Sequence, residues 1–150
     1  MRLIAADPVA TLTALEVELD RSIRLSALPV RLSRRPGCDA AQGAVLDALG
    51  DEQVRYFPIG DAPGVACLVV GAGPQEPRPV NTLAGEIASH YGVGGPAVLR
   101  GRALIVGGRP DAPTTLTERT AQDLAHMVMI EVRMRSMRVC SVPMVRSPRR

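Results

Sequence analysis

The sequence of 150 residues is poor in aromatic side chains and contains no lysine. Only 2% of the residues are aromatic, and none of them is tryptophan. Single-stranded nucleic-acid platforms and carbohydrate sites depend on stacked rings, so this composition disfavours both. All 18 basic residues are arginine, which excludes a Schiff-base lysine and the lysine of a phosphate-binding P-loop. A GC-rich genome is one explanation of the arginine bias, and selection for the forked donors of arginine is the alternative.

Cysteine is also scarce, at three residues without CxxC spacing, so neither a disulfide framework nor a zinc site is predicted. Cys67 lies in an apolar run and is expected to be a buried, inert thiol. Cys38 precedes a helix start and follows two arginines, an environment that favours a lowered thiol pKa. Two histidines leave few bases for a Cys-His enzyme. The sequence therefore predicts no metal and no cofactor.

Long hydrophobic stretches are missing as well. The longest apolar run, Val65–Val70, is far too short for a transmembrane helix, and no signal peptide is visible at the N-terminus. These features predict a cytoplasmic protein with no membrane contact.

The residues that are present suit an α+β fold. Apolar residues make up 46% of the chain, which is enough for one packed domain at this length. Capped helical patterns alternate with strand-like runs and predict a small mixed or antiparallel sheet with a β-hairpin, packed on three to four helices. The helices are predicted to follow Asp7, Asp39, Asn81 and Thr115 and to reach Ile23, Leu49, Tyr91 and beyond Val128. The strand-like segments are Leu28–Leu32, Val54–Ile59, Val65–Val70 and Ala97–Val106.

The charge distribution separates the C-terminus from the rest. Residues 131–150 carry a formal charge of +5, whereas residues 1–130 carry −2. We therefore expect a single domain over 1–128 and a basic extension over 129–150 that is partly disordered. Apolar residues in this extension fit both a strand and a helix, so its secondary structure stays open.

Two short segments resemble a known family. Val80-Asn81-Thr82-Leu83-Ala84 opens a helix, and Gly101–Gly108 reads Gly-Arg-Ala-Leu-Ile-Val-Gly-Gly as a strand. This order is similar to a small family from actinobacteria, their phages and their plasmids, known only as a domain of unknown function. The resemblance covers residues 28–128, and the extension has no counterpart in it. It implies a mobile-element origin but supplies no activity and no catalytic residues.

Three residues of the third predicted helix are candidates for ligand binding. Asn81 is expected to be a helix cap, and the resemblance adds that it lines a pocket. Glu86 and His90 share one helix face, where they form either a solvated pair or part of a metal or acid–base site. The Gly92-x-Gly94-x-x-Ala97 stretch is expected to be a plain loop, because it follows a helix and precedes a strand, the reverse of a dinucleotide fingerprint.

The hypothesis that best fits these features is a non-enzymatic accessory protein of a phage, plasmid or actinobacterial host that binds a protein or small molecule. The alternative is a nucleic-acid-associated protein, because arginine forks suit phosphate. The third hypothesis is an enzyme without a recognisable motif. The candidate nucleic-acid contacts are Arg133, Arg135, Arg138, Arg146, Arg149 and Arg150.

Overall fold

The protein forms an antiparallel sheet with helices on both of its faces. A computed structural model describes residues 10–30, 39–59, 66–72, 78–91, 98–109 and 111–145, with side chains in the last range described through Met134. The elements are β1 (Ala10–Val17), β2 (Ile23–Val30), α1 (Ala40–Leu49), β3 (Val54–Pro58), β4 (Ala66–Gly71), α2 (Thr82–Tyr91), β5 (Ala103–Arg109), β6 (Ala112–Thr114) and α3 (Glu118–Val145).

The six strands pair in the order β2-β1-β5-β4-β3, with β6 added beside β5. Every pairing is antiparallel. β4 lies inside the sheet and is buried along Ala66–Val70, as a strand that is apolar on both faces should be. The chain after β6 also ties to β1, since Leu116 donates its backbone N–H to the Thr13 carbonyl. The predicted α+β class with an antiparallel sheet is confirmed.

Two apolar clusters divide the core between the faces of the sheet. On one face, α1 packs Val45 and Leu49 against strand residues such as Val69 and Leu104. On the other face, α2 and α3 pack Leu83 and Val128, among others, against the alternate strand residues. Successive strand residues point to opposite faces, so the central strands supply both clusters. The result is a three-layer arrangement with one helix on one side and two on the other.

The first predicted helix is wrong over the residues that the structure describes. The chain forms the β1–β2 hairpin instead, and residues 1–9, which include the predicted cap at Asp7, lie outside the described part. Asp20 explains the turn, because its side chain accepts hydrogen bonds from the Ser22 backbone N–H at 3.0 Å and the Ser22 hydroxyl at 2.6 Å. Arg21 adopts the left-handed conformation, with φ 71°. The described part of the chain therefore holds three helices, the lower end of the predicted range.

The predicted limits of α1 are confirmed. The Asp39 side chain accepts from the Gln42 backbone N–H at 2.7 Å, and Gly50 ends the helix in the left-handed region. The predicted pairing of Val54–Ile59 with Val65–Val70 appears as β3 against β4, in register from Val54↔Gly71 to Pro58↔Cys67. The predicted turn between them lies outside the described residues.

The last helix begins with a different cap from the one predicted. Thr117, rather than Thr115, caps α3 by accepting from the Thr120 backbone N–H at 3.1 Å. Thr115 instead accepts from the Thr13 backbone N–H at 2.8 Å and helps to hold β1. The helix then runs through the expected domain boundary at residue 128 and on to Val145, and Val132 belongs to the core. The choice between strand and helix in 131–145 is thus settled as helix.

The segment before β5 is shorter as a strand than predicted. Arg100 forms an isolated bridge with Val80, and Gly101 then turns the chain with φ 80°. The regular strand begins at Ala103 and continues past the predicted end at Val106 to Arg109. β5 then pairs with β6, from Gly107↔Thr114 to Arg109↔Ala112.

Candidate functional site

The start of α2 is organised by Asn81, whose side chain is fully buried at 0% exposure. Its Oδ1 accepts from the Ala84 backbone N–H at 3.0 Å, as an N-cap does. Its Nδ2 donates to the carbonyls of Val17 and Gly101, each at 2.9 Å. The predicted cap is confirmed, and the same amide joins the helix to the ends of two strand segments. Its predicted role in a ligand pocket stays a prediction.

Glu86, the second candidate, contacts the turn between β1 and β2. Arg21 forms an ion pair with the Glu86 carboxylate and also donates to the Thr82 hydroxyl at 3.1 Å. The hydrogen bond that Arg21 donates to Glu86 raises the pKa of the Arg21 guanidinium. The left-handed backbone of Arg21 aims its side chain at α2, so this contact pins the hairpin turn to the helix.

His90, one turn further along α2, contacts α3 instead. Its Nε2 lies 2.9 Å from Glu131 Oε2, and the Tyr91 hydroxyl donates to the same oxygen at 2.5 Å. The rings of His90 and Tyr91 meet edge to face with centroids 4.6 Å apart. The Tyr91 hydrogen bond lowers the pKa of Glu131, and His90 adds to the effect. This polar cluster fixes the position of α3 on α2.

Glu86 and His90 therefore share a helix face but contact different neighbouring elements. Their contacts reach the β1–β2 turn and α3, respectively, and their predicted role in ligand binding stays a prediction. Within the ranges that the structure describes, no group of three or more His, Cys, Asp or Glu side chains is arranged to hold a metal ion.

Two further polar clusters support the sheet. Arg102 binds the buried Glu16 carboxylate with two hydrogen bonds, at 2.8 and 2.9 Å, and donates at 2.9 Å to the Ala48 carbonyl in the last turn of α1. This contact satisfies a carbonyl that the helix end leaves open. The hydrogen bonding from Arg102 to the Glu16 carboxylate is the main reason that the pKa of Glu16 lies below its ordinary value.

The second cluster surrounds the buried Asp51. Its carboxylate accepts from the backbone N–H of Glu52 at 2.9 Å and lies 3.5 Å from Arg78. A Cβ at Gly71 would stand 2.5 Å from Asp51 Oδ2 and 2.7 Å from Arg78 Nη1, so the strand must present a glycine there.

Cys67 is buried within β4, as predicted. Burial raises the pKa of its thiol to about 11, which suits an inert core residue. Cys38 lies outside the described residues. Gly92, Gly94 and Ala97 lie outside them as well, so the predicted loop at that stretch stays a prediction.

The outward side of α3 carries a feature that residue-by-residue inspection of the sequence missed. Met127, Ile130 and Met134, here called the outer stripe, are 37%, 48% and 48% exposed. Their spacing of three and four places them along one side of the helix. Val128 and Val132, on the inward side, are buried in the core. The helix thus has one apolar side in the core and a second that faces away from it.

The charges of α3 are sorted along its length. Residues 118–131 hold three acids and one arginine, a net −2, while 132–145 hold three arginines and no acid, a net +3. The predicted nucleic-acid contacts Arg133, Arg135 and Arg138 fall on this helix, and Arg133 is exposed. The other three, Arg146, Arg149 and Arg150, lie outside the described residues. No helix in the described ranges combines the length and hydropathy needed to cross a bilayer.

Comparison with known proteins gives little to add to this geometry. No family model matches the chain, and no curated protein matches it. A solved structure of the small RNA methyltransferase HEN1 is similar over 77% of this chain and 16% of that one, with a TM-score of 0.49 and 14% sequence identity. The chain thus spans a small part of that protein's length. A likeness at this level carries no argument about activity.

Proposed function

We propose that the protein is a non-enzymatic accessory protein that acts by binding another protein through the outer stripe of α3. The exposed methionines and isoleucine carry this conclusion. A single exposed apolar residue is ordinary, but a helical row of three marks a contact surface. Methionine is common at such surfaces because its unbranched side chain adapts to the partner.

The polar clusters support a binding role because their contacts hold the elements of the fold in place and so orient the outer stripe. Arg21 with Glu86 fastens the β1–β2 turn to α2, and His90 with Tyr91 fastens α2 to Glu131 of α3. The contacts of His90 and Tyr91 with Glu131 fix the orientation of α3 about its axis, and therefore the direction in which the outer stripe faces. A rigidly oriented helix face loses little conformational freedom when a partner docks on it.

A photo-crosslinking amino acid placed at position 130 tests this function in the cells that naturally express the protein. We expect ultraviolet light to yield a covalent adduct with protein. The matched control carries the same amino acid at Gln122, which is exposed on α3 but outside the stripe. Equal adduct yields at both positions would contradict a role for the outer stripe.

A second candidate is binding to nucleic acid by the basic half of α3 and the residues after it. The observation that favours it is the continuous helix, which carries +3 over 132–145. Each phosphate that an arginine neutralises makes affinity more sensitive to salt. The test compares the full chain with a version ending at Met137 for duplex DNA binding at low and high salt. Tighter, more salt-sensitive binding by the full chain supports this role, and identical, salt-insensitive behaviour rejects it.

A further inference from the structure

The outer edge of β2 presents a row of backbone groups. β2 is an end strand of the sheet, and among the described residues no strand pairs with its outer edge. In the hairpin turn Glu18 donates its backbone N–H to the Ser22 carbonyl, so the even-numbered residues carry the bonds between β1 and β2. Thr13 agrees with this assignment, because its N–H and its carbonyl both bond to residues that follow β6. The odd-numbered residues of β2 therefore point their backbone groups outward; they are Ile23, Leu25, Ala27 and Pro29.

This edge has an open part and a closed end. Pro29 has no N–H to offer, which closes the edge at that residue and leaves the stretch from Ile23 to Ala27 open. The side chains there include apolar ones that face solvent, since Leu25 is 44% exposed and Ala27 is exposed beside it. A regular row of N–H and C=O groups is matched along its length by another extended backbone. The open part of the edge thus fits one apolar strand.

We infer that this strand is β2 of a second copy of the chain, paired antiparallel about a two-fold axis at Leu25, so that the sheet continues from one copy into the other. In this register Leu25 faces Leu25 of the second copy, and Ile23 faces Ala27 of the second copy, twice by symmetry. Each of these pairs exchanges two backbone bonds, about six in all, and every open N–H meets a carbonyl. The surface is separate from the outer stripe, and the inference does not depend on it.

Two residues exclude the neighbouring registers. An axis at residue 24 would set Arg24 directly against Arg24 of the second copy, and like charges in that position are destabilising. An axis at residue 26 would set Pro29 against Ile23 of the second copy and leave the Ile23 carbonyl without a donor. The axis at Leu25 avoids both costs.

The side chains of the edge complement those of a second copy. On the face of α2 and α3, the large Ile23 meets the small Ala27. On the face of α1, Arg24 meets Ser26, whose hydroxyl accepts hydrogen bonds. Arg24 already forms an ion pair with Glu18 at 2.6 Å, so the pairing brings no uncompensated charges together. Because donors, acceptors and side-chain sizes all match under the two-fold axis, the edge is complementary to itself.

Sedimentation equilibrium over about 1 to 100 μM protein measures the association. We expect a species of twice the monomer mass. Leu25→Glu should weaken the dimer at least about tenfold, because it sets two carboxylates against each other at the axis. The matched control is Tyr56→Glu, since Tyr56 is 55% exposed on β3, the end strand at the opposite edge of the sheet. This control should leave the association unchanged, and a monomer at every concentration of the unmodified protein would overturn the inference.

A proline substitution tests whether backbone bonds hold the dimer. Ala27→Pro removes an outward N–H from each copy and leaves the bonds between β1 and β2 in place. The native Pro29, which is also outward in the same strand, shows that the hairpin accepts proline at such a position. We expect circular dichroism to show a folded protein whose dimer is weakened at least about tenfold. A folded Ala27→Pro variant that dimerises as tightly as the wild type would overturn strand pairing.

Disulfide formation tests the register in a chain that keeps the hairpin backbone intact. With Cys38→Ser and Cys140→Ser, Leu25→Cys should give a covalent dimer on oxidation, because the two Cα atoms lie about 5.5 Å apart. Ala27→Cys in the same background should not, since the two copies of that position lie about 13 Å apart along the strands. A covalent dimer through position 27 and not 25 would overturn the register. The absence of a covalent dimer from both variants would overturn the pairing itself.

Discussion

Replacing Asn81 by alanine removes three hydrogen bonds from a side chain that has no solvent exposure. Loss of the cap to Ala84 costs about 1 kcal/mol. The two bonds from Nδ2 to the carbonyls of Val17 and Gly101 contribute about 1 kcal/mol each, since the carbonyls lose a buried donor. The free energy of unfolding should therefore fall by about 3 kcal/mol.

Chemical denaturation measures this change, and a thermal scan should show a midpoint lower by roughly 6 to 12 °C for a chain of this size. The loss exceeds what a surface cap alone predicts, because the amide also connects β1 to the turn at Gly101. A stability loss of this size is a large share of the total for a typical domain.

Asn81→Asp is the control that separates the two contributions. Aspartate caps helices as well as asparagine does, so it keeps the bond to the Ala84 N–H. At neutral pH it offers no proton to Val17 and Gly101, and its second oxygen faces two carbonyl oxygens. We expect it to be at least as destabilising as alanine. A variant within about 0.5 kcal/mol of the wild type would refute the reasoning, because the cap alone would then explain the residue.

Three other predictions concern the polar clusters and the core. The pKa of Glu16 is lowered in the folded state from an ordinary 4.5, so the stability from its bond to Arg102 is present above pH 4.5 and lost as pH falls through the folded value. Glu16→Gln should cost about 1 kcal/mol at neutral pH and flatten this acid dependence in denaturation experiments, whereas an unchanged pH profile would contradict it. Cys67, with a pKa of about 11, should resist alkylation in the native protein and react in denaturant, as peptide mapping by mass spectrometry would show. Tyr91→Phe removes a donor from the carboxylate, so the pKa of Glu131 followed by NMR titration should rise; an unchanged value would show that the hydroxyl has no such effect.

Local signals predicted the elements that begin and end with recognisable caps. Asp39 with Gly50 delimits α1, and Asn81 begins α2, because each cap acts on backbone groups within four residues. The pairing of β3 with β4 was predictable for a similar reason, since Gly and Pro residues separate two apolar runs that are close in sequence.

The β1–β2 hairpin was mistaken for a helix because β1 is buried on both of its faces. Leu12 and Ala14 belong to one core cluster, while Leu15 and Val17 belong to the other. Apolar residues then occur at both parities, and the alternation that marks a half-buried strand disappears. The available signal was Asp20, which initiates a turn three residues before the predicted end of the helix at Ile23.

The partners of the candidate residues could not be predicted from spacing. Glu86 meets Arg21 across 65 residues of sequence, and His90 meets Glu131 across 41. A helix-face argument places Glu86 and His90 together but does not say which other elements pack beside them. The sequence therefore identified the polar face of α2 without revealing that this face contacts the hairpin turn and α3.

The outer stripe shows why tertiary structure decides which apolar row of a helix is exposed. Two apolar rows run along α3, and helical spacing alone does not show which of them is buried in the core. Val128 and Val132 are buried in the core, and Glu131 accepts hydrogen bonds from His90 and Tyr91. Together these contacts fix the orientation of α3 about its own axis. That rotation leaves Met127, Ile130 and Met134 facing outward. The α2–α3 cluster thus determines which side of α3 faces outward, the side on which we propose that a partner docks.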